Sequence, residues 1–260
     1  MGNDKIDYKA IASQSRLKVL DMIYAAQTSH IGSNFSVADI MAVLMSNVDL
    51  DKDKVIMSAG WKAAMFYFHL WRLNRLSFTD LTSYCQPGSK YIGLVEPIHK
   101  DIPFAGGSMG MGLAAGVALA WSKKQRNEEG KIYVIESDGG MQEGSTWEAM
   151  WFAAQHNLDN LVLIIDNNGF QAMGETRNIL NNDRLKEKID AFGWAYGICN
   201  GHDYRFIESW LKQRFSTTPM AIIANTIKGK GVSFMENNNI WHYKSPNKEE
   251  YEKAKIELLQ

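Results

Sequence analysis

Two short runs of apolar, β-branched residues, Lys131-Glu136 and Leu161-Asp166, constrain this chain more than any other feature. Each is too short for a helix and too uniformly apolar for a strand with one wet face, so each reads as a buried parallel strand. Between them Ser145-Thr146-Trp147-Glu148 has the S-x-x-E form of a capping box, and a helical pattern follows to about His156. Strand, helix and strand in succession make a βαβ unit with a right-handed crossover. In open α/β sheets ligands bind just beyond the carboxyl ends of the strands. Asp138 lies past the end of the first run, and Asn167 and Asn168 past the end of the second. A carboxylate and a carboxamide oxygen are therefore expected to meet at one spot.

That pair suits a magnesium ion carrying a diphosphate, with calcium or manganese as alternatives. Such ions take hard oxygen ligands, a few from protein and the rest from phosphate and water. Asp138 supplies charge, Asn168 a neutral oxygen, and the backbone carbonyl of Phe170 a third ligand. Gly139 and Gly140 let the main chain approach phosphate oxygens and aim N–H groups at them. The plainer account is that Asp, Gly and Asn simply form turns. However, Ser137-Asp138-Gly139, with 27 residues between Gly139 and Asn167-Asn168, resembles the GDG…NN thiamine diphosphate motif. The surrounding words MQEGSTWEAMWFAAQHNLDNL and IIDNNGFQ resemble the diphosphate-binding half of transketolases. The resemblance implies an α/β fold of three layers, α/β/α, around a mostly parallel sheet. It also implies a single diphosphate-binding domain over residues 1–260, with a C-terminal extension at about 228–260.

The totals allow this. A chain of 260 residues with 45% hydrophobic residues can bury a large core. A formal net charge of −1 gives no electrostatic case for nucleic acid or a membrane surface. No apolar run reaches transmembrane length, and the N-terminus lacks the basic-then-apolar order of a signal peptide. Cys85 and Cys199 are far apart and lack metal-type spacing, so they read as reduced thiols of a cytoplasmic protein.

Further along the chain, Tyr8 to about Thr28 reads as a helix, Ser29-Ser33 as a loop, and Ser36-Val37-Ala38-Asp39 as the capping box of the next helix. The stretch SRLKVLDMIYAAQTSHIGSNFSVADIMAVL resembles the transketolase N-terminus. There the loop histidine faces cofactor and sugar, a role the resemblance carries to His30; without it His30 is a surface histidine bonded to a carbonyl. Val55-Ser58 is a strand, followed by helices over Trp61-Leu73 and Thr79-Cys85. Trp61 stands where the family has the histidine of Lys-Gly-His. It either contacts the cofactor and narrows the donor pocket or is simply buried. A second family histidine, in a Gly-His-Pro word, has no secure counterpart; Val95-Glu96-Pro97 or His99 is nearest. Ala105-Gly112 resembles the family's T-G-S-L-G-x-G-L word, which makes Ser108, Met109, Gly110 and Met111 candidates for cofactor contact. Its glycines also suit a helix packed tightly on the sheet.

Helices are expected over Asp183-Phe192 and Asp203-Phe215, and strands over Trp194-Cys199 and Pro219-Thr226. Asp203 reads as an N-cap and His202 as structural. KGKGVSFME and the later Trp241-His242 match family words, and the resemblance gives His242 contact with diphosphate and substrate. The tail 247–260 reads as a charged, solvated helix.

The resemblance stops where full-length transketolases continue into a pyrimidine-binding domain, which carries the glutamate that activates the cofactor. It thus implies the N-terminal subunit of a split transketolase, completed by a C-terminal subunit, in a heterotetramer. The reaction implied is transfer of a two-carbon ketol unit from a ketose to an aldose, on sugars or sugar phosphates, with His30 and His242 moving hydroxyl protons. Glu143 resembles a residue that couples two cofactor sites, or is a helix-start glutamate favoured by the dipole. Ser29, Trp61 and Ser137 depart from the usual residues, which argues for a specialised substrate. The competing readings are a 2-oxoacid decarboxylase or dehydrogenase component, a specialised acyl transferase, and a non-catalytic assembly subunit.

Overall fold

The computed structural model describes residues 6–213 and 217–260. It opens with helices α1 (Tyr8–Ala26), α2 (Ile31–Ser36) and α3 (Ala38–Asn47), then strand β1 (Lys54–Met57), α4 (Ala63–Arg72), α5 (Phe78–Thr82) and α6 (Met111–Gln125). The central unit is β2 (Ile132–Ser137), α7 (Gly144–Gln155) and β3 (Leu161–Asn167). A small hairpin of β4 (Phe170–Gln171) and β5 (Gly174–Glu175) follows, then α8 (Thr176–Ile179) and α9 (Leu185–Ala191). The chain continues through β6 (Ala195–Asn200), α10 (Tyr204–Lys212), β7 (Met220–Asn225) and α11 (Lys248–Leu258).

Among the described residues, β1-β2-β3-β7-β6 form one sheet in that order, and each neighbouring pair is parallel. Side chains alternate across it. Val55, Met57, Tyr133, Ile135, Val162 and Ile164 join one core with α1, α3, α4 and α10. Ile56, Ile132, Val134, Leu161, Leu163 and Ile165 join the other with α6, α7 and α9. Two separate cores on opposite faces make the architecture α/β/α, and they explain why these strands are apolar at every position. Each fully buried aliphatic contributes about 1.5–3 kcal/mol over exposure. The glycines of the 105–116 region permit close contact. A Cβ on Gly60 would lie 2.1 Å from the Gly106 carbonyl oxygen, and one on Gly116 would lie 2.5 Å from a Val134 methyl.

Several local expectations are overturned. Ser145 does not cap α7. That helix starts at Gly144 with Glu143 at its N-cap, and the Ser145 hydroxyl donates to the Gly110 carbonyl at 3.1 Å. Ser36 ends α2 rather than capping α3, and its hydroxyl donates to Asp166 at 2.5 Å. In both cases the serine lies within a helix rather than at its N-cap, and its hydroxyl is oriented by a partner from elsewhere in the fold. The loop expected over Ser29-Ser33 is mostly the first turn of α2, with His30 as its N-cap at φ 73°. The helix expected to reach Phe215 is described as far as Lys212, and the end of that expectation lies outside the described residues. The C-terminal helix is not merely solvated. Tyr251 stacks on Tyr24 of α1 at 4.2 Å, and Ala254 is buried. No helix among the described residues is long and apolar enough to cross a membrane.

Candidate active site

The register of β2 against β3 places Ser137 beside Asp166, so the turns after both strands leave the sheet together. Asp138 is fully buried. One of its carboxylate oxygens accepts the Gly139 N–H at 3.0 Å and the other the Gly169 N–H at 2.6 Å. Asn168 Oδ1 accepts the Phe170 N–H at 3.0 Å. The turn holding Asn168 and Phe170 is thereby hung on Asp138. Asn167 turns away and donates to Asn225 at 2.8 Å. The N–H groups of Gly139 and Gly140 meet Asp138 and Ser137 Oγ at 3.0 Å each.

A cavity of about 180 Å³ opens here, with His30, Trp61, Met109, Gly139, Asn168, Phe170 and His242 in its wall. Ser108, Gly110 and Met111 do not line it. Gly110 faces Glu143 and Ser145, and Met111 is exposed. Glu143 is half-buried at the start of α7, outside the cavity wall. His99 is held beside Asp101, where it accepts that residue's N–H at 3.2 Å, so it does not replace the missing histidine. A wider cleft of about 510 Å³ lies at the ends of β3, β6 and β7. It shares Phe170 but has neither Asn168 nor a histidine in its wall, so the smaller cavity is the candidate.

Two imidazoles in that cavity wall, His30 and His242, meet edge to face with ring centroids 5.1 Å apart. The His30 N–H donates to the His242 carbonyl at 2.8 Å, which ties α2 to the 239–242 turn. Burial, followed by the charge of Lys228, lowers His30 to about 4 and His242 to about 3, so both are neutral near pH 7. Lys228 is fully buried and donates to His242 Nδ1 at 2.9 Å and to Asn239 Oδ1 at 2.7 Å. The proton of His242 therefore sits on Nε2. Since folding favours both neutral rings, their stabilising contribution is complete above about pH 6.5 and is lost as pH falls through 4. Urea denaturation between pH 7 and 4 is expected to show a shallower acid loss for His242→Gln than for the unaltered chain. Equal slopes would remove His242 from the acid response.

Several residues at the site were not singled out in the sequence. Lys62 and Asp166 are both fully buried and pair at 2.7 Å beneath Asn168. Burial opposes the Asp166 charge, but Lys62, Ser36 and Thr226 outweigh it and hold its carboxyl low. Asn34 donates to the carbonyls of His30 at 2.9 Å and Trp61 at 3.2 Å and accepts the Met65 N–H at 2.9 Å. Lys228 and Lys62 each stood inside a noted word, and a charge that close to a family motif was the available signal.

Residues 7–258 match the family described as transketolase, thiamine diphosphate binding domain. The chain belongs to that family. A protein of Actinobacillus succinogenes, named as one subunit of an apulose-4-phosphate transketolase, is 35% identical over 98% of this chain and 96% of that one. A Clostridium protein named 6-deoxy-6-sulfo-D-fructose transketolase subunit SqwG is 30% identical, over 99% and 98%. The solved transketolase of Campylobacter jejuni matches with a TM-score of 0.90 and 30% identity, over 98% of this chain. The chain spans 43% of the length of that enzyme.

The residues present suit the transketolase cofactor. Asp138 has no ion-pair partner among the described residues, and burial followed by the nearby Asp166 charge pushes its carboxyl up to about 7. A buried carboxylate in that state lacks a cation, and a bound divalent ion reverses the balance. The cavity wall pairs polar groups, Ser137, Asn168, Gln171 and the two histidines, with the apolar surfaces of Trp61, Met109 and Phe170, which fits a ligand that has both a charged end and aromatic rings.

Proposed function

We propose that this chain is the diphosphate-binding subunit of a two-polypeptide transketolase, which moves a two-carbon ketol unit from a ketose to an aldose. The observation that carries the reading is the cavity, where a buried carboxylate without a cation and two neutral imidazoles converge. The names of the relatives matched nearly end to end, each a transketolase subunit, support the two-chain form. The partner would supply the pyrimidine-binding domain and its activating glutamate, in a cytoplasmic heterotetramer.

Asp138, Asn168 and the Phe170 carbonyl would hold magnesium, and Lys228 adds positive charge for the diphosphate. When bound, thiamine diphosphate supplies the nucleophilic carbon and electron sink that ketol transfer needs. The chain's own residues manage the substrate's protons. His242, with its proton held on Nε2, can donate to a substrate oxygen and recover the proton, and His30 faces the same space. Trp61 cannot shuttle a proton in this way, because an indole N–H donates a hydrogen bond but cannot accept one. It fills volume where transketolases have an imidazole, which favours a modified ketose of the kind named for the relatives over an ordinary pentose phosphate. Glu143, outside the cavity wall, would couple two cofactor sites rather than touch substrate.

Mixing the chain with a pyrimidine-binding partner, magnesium and thiamine diphosphate is expected to yield ketol transfer that neither polypeptide supports alone. Product analysis with a ketose and with a 2-oxoacid checks the reaction type. Turnover by the chain alone, or release of carbon dioxide from the 2-oxoacid as the main reaction, would overturn the proposal.

A further inference from the structure

We infer that Asp39 and His202 form a positioning pair, outside the cavity, that aims Lys228 and through it His242. The inference rests on the cavity being the cofactor site. His202 lies between β6 and α10 and does not line the cavity. Its Nδ1 is 2.7 Å from Asp39 Oδ2, and its Nε2 accepts the Ile227 N–H at 2.9 Å. A backbone N–H can only donate, so Nε2 carries no proton. The ring proton is on Nδ1 and donates to Asp39. The carboxylate thus selects the tautomer that can receive Ile227, as a second partner does for a metal-bound or catalytic histidine.

Asp39 is built for that task. It is buried in the first turn of α3, and Arg16 and Tyr204 also donate to it, the tyrosine at 2.7 Å. Burial opposes its charge, but His202, Arg16 and Tyr204 together hold its carboxyl far below the ordinary range.

What His202 receives is the middle of three consecutive ties. After β7, the Thr226 hydroxyl donates to Asp166, the Ile227 N–H to His202, and the Lys228 ammonium to His242. Gly229 then donates to the Gly32 carbonyl of α2 at 2.9 Å. Residues 226–228 belong to no helix or strand, so these ties, together with the Thr226 N–H on Asn167, the Asn237 N–H on the Lys228 carbonyl and the Lys228 bond to Asn239, set where Lys228 points. Lys228 in turn decides which nitrogen of His242 holds the proton. Without the acceptor on His202, the Ile227 N–H loses its partner and the segment is free to shift between its neighbours.

Three variants test this. His202→Leu removes both bonds. His202→Gln retains an amide oxygen within reach of Ile227. Tyr204→Phe removes a different donor to Asp39 and leaves Ile227 untouched. The readouts are the side-chain nitrogen shifts of His242 in the isolated chain, titration with magnesium thiamine diphosphate in the presence of the partner polypeptide, and thermal melting. For His202→Leu the His242 signals are expected to move toward a mixture of tautomers, with cofactor binding roughly tenfold weaker or more, in line with the loss of other outer partners. His202→Gln should restore most of both. Tyr204→Phe should lower the melting temperature and change neither. The inference is overturned if His202→Leu leaves the His242 signals unchanged, or if Tyr204→Phe weakens the cofactor as much as His202→Leu. If the unaltered chain with its partner binds no thiamine diphosphate, the reading of the cavity fails instead. The His242 signals then still decide the positioning.

Discussion

Asp138→Asn is expected to weaken cofactor binding sharply while leaving the melting temperature of the cofactor-free chain little changed. The side chain is fully buried, receives two N–H bonds and lies near Asp166. Its carboxyl is raised from 3.8 to about 7, so folding favours the protonated form. The stability it gives is complete below about pH 3.8 and is lost as pH rises through 7. This is the opposite slope to that of the two histidines. At pH 7.5 an amide of the same shape removes the cost of the unpaired charge, but its nitrogen cannot accept the N–H that the second carboxylate oxygen receives, and the two effects, each on the order of 2 kcal/mol, largely cancel. The amide also removes the anionic ligand. Affinity for magnesium thiamine diphosphate should fall on the order of a hundredfold or more. Calorimetric titration and thermal melting of the cofactor-free variant report the two effects. Retained affinity would count against this assignment of Asp138.

Lys62→Met is expected to have the largest effect on stability. Lys62 and Asp166 are both fully buried, and their charged atoms are 2.7 Å apart. Removing one member of a buried pair leaves the other uncompensated, at a cost of about 3–5 kcal/mol. Asp166 would keep its hydroxyl donors Ser36 and Thr226 but would lie beside Asp138 with no ammonium between them. Adding Asp166→Asn should recover most of the loss, because the orphaned charge is then gone. Urea midpoints of the single and double variants measure both. A single variant as stable as the parent would mean that hydroxyl donors alone suffice for Asp166.

The contrast between these two carboxylates shows what was legible in the chain. Strand-like runs declared the sheet because every position on both faces is buried, and Asp138 stood at the end of such a run inside a recognisable word. Asp166 also ended a run, yet its meaning depended on Lys62 and Ser36, partners far off in the chain that no local spacing links to it. The capping signals failed for the same reason. Ser145 and Ser36 had the right neighbours in sequence, but the fold placed both inside helices, with their hydroxyls oriented by residues distant in the chain. The boxes that do form, Ser77 with Asp80 and Asn247 with Glu250, sit at exposed helix starts where nothing competes. The histidines were placed by motif, but their protonation was not legible, because it follows from burial and from Lys228.

Asn34 has a consequence for how this site can change over time. It grips residue 61 through that residue's main-chain carbonyl and leaves the side chain unclaimed. The same carboxamide secures the histidine turn and the start of the next helix. Position 61 is therefore a socket whose plug can be exchanged, imidazole for indole or another ring, without unseating its neighbours. New sugar preferences can then arise by single replacements at one address.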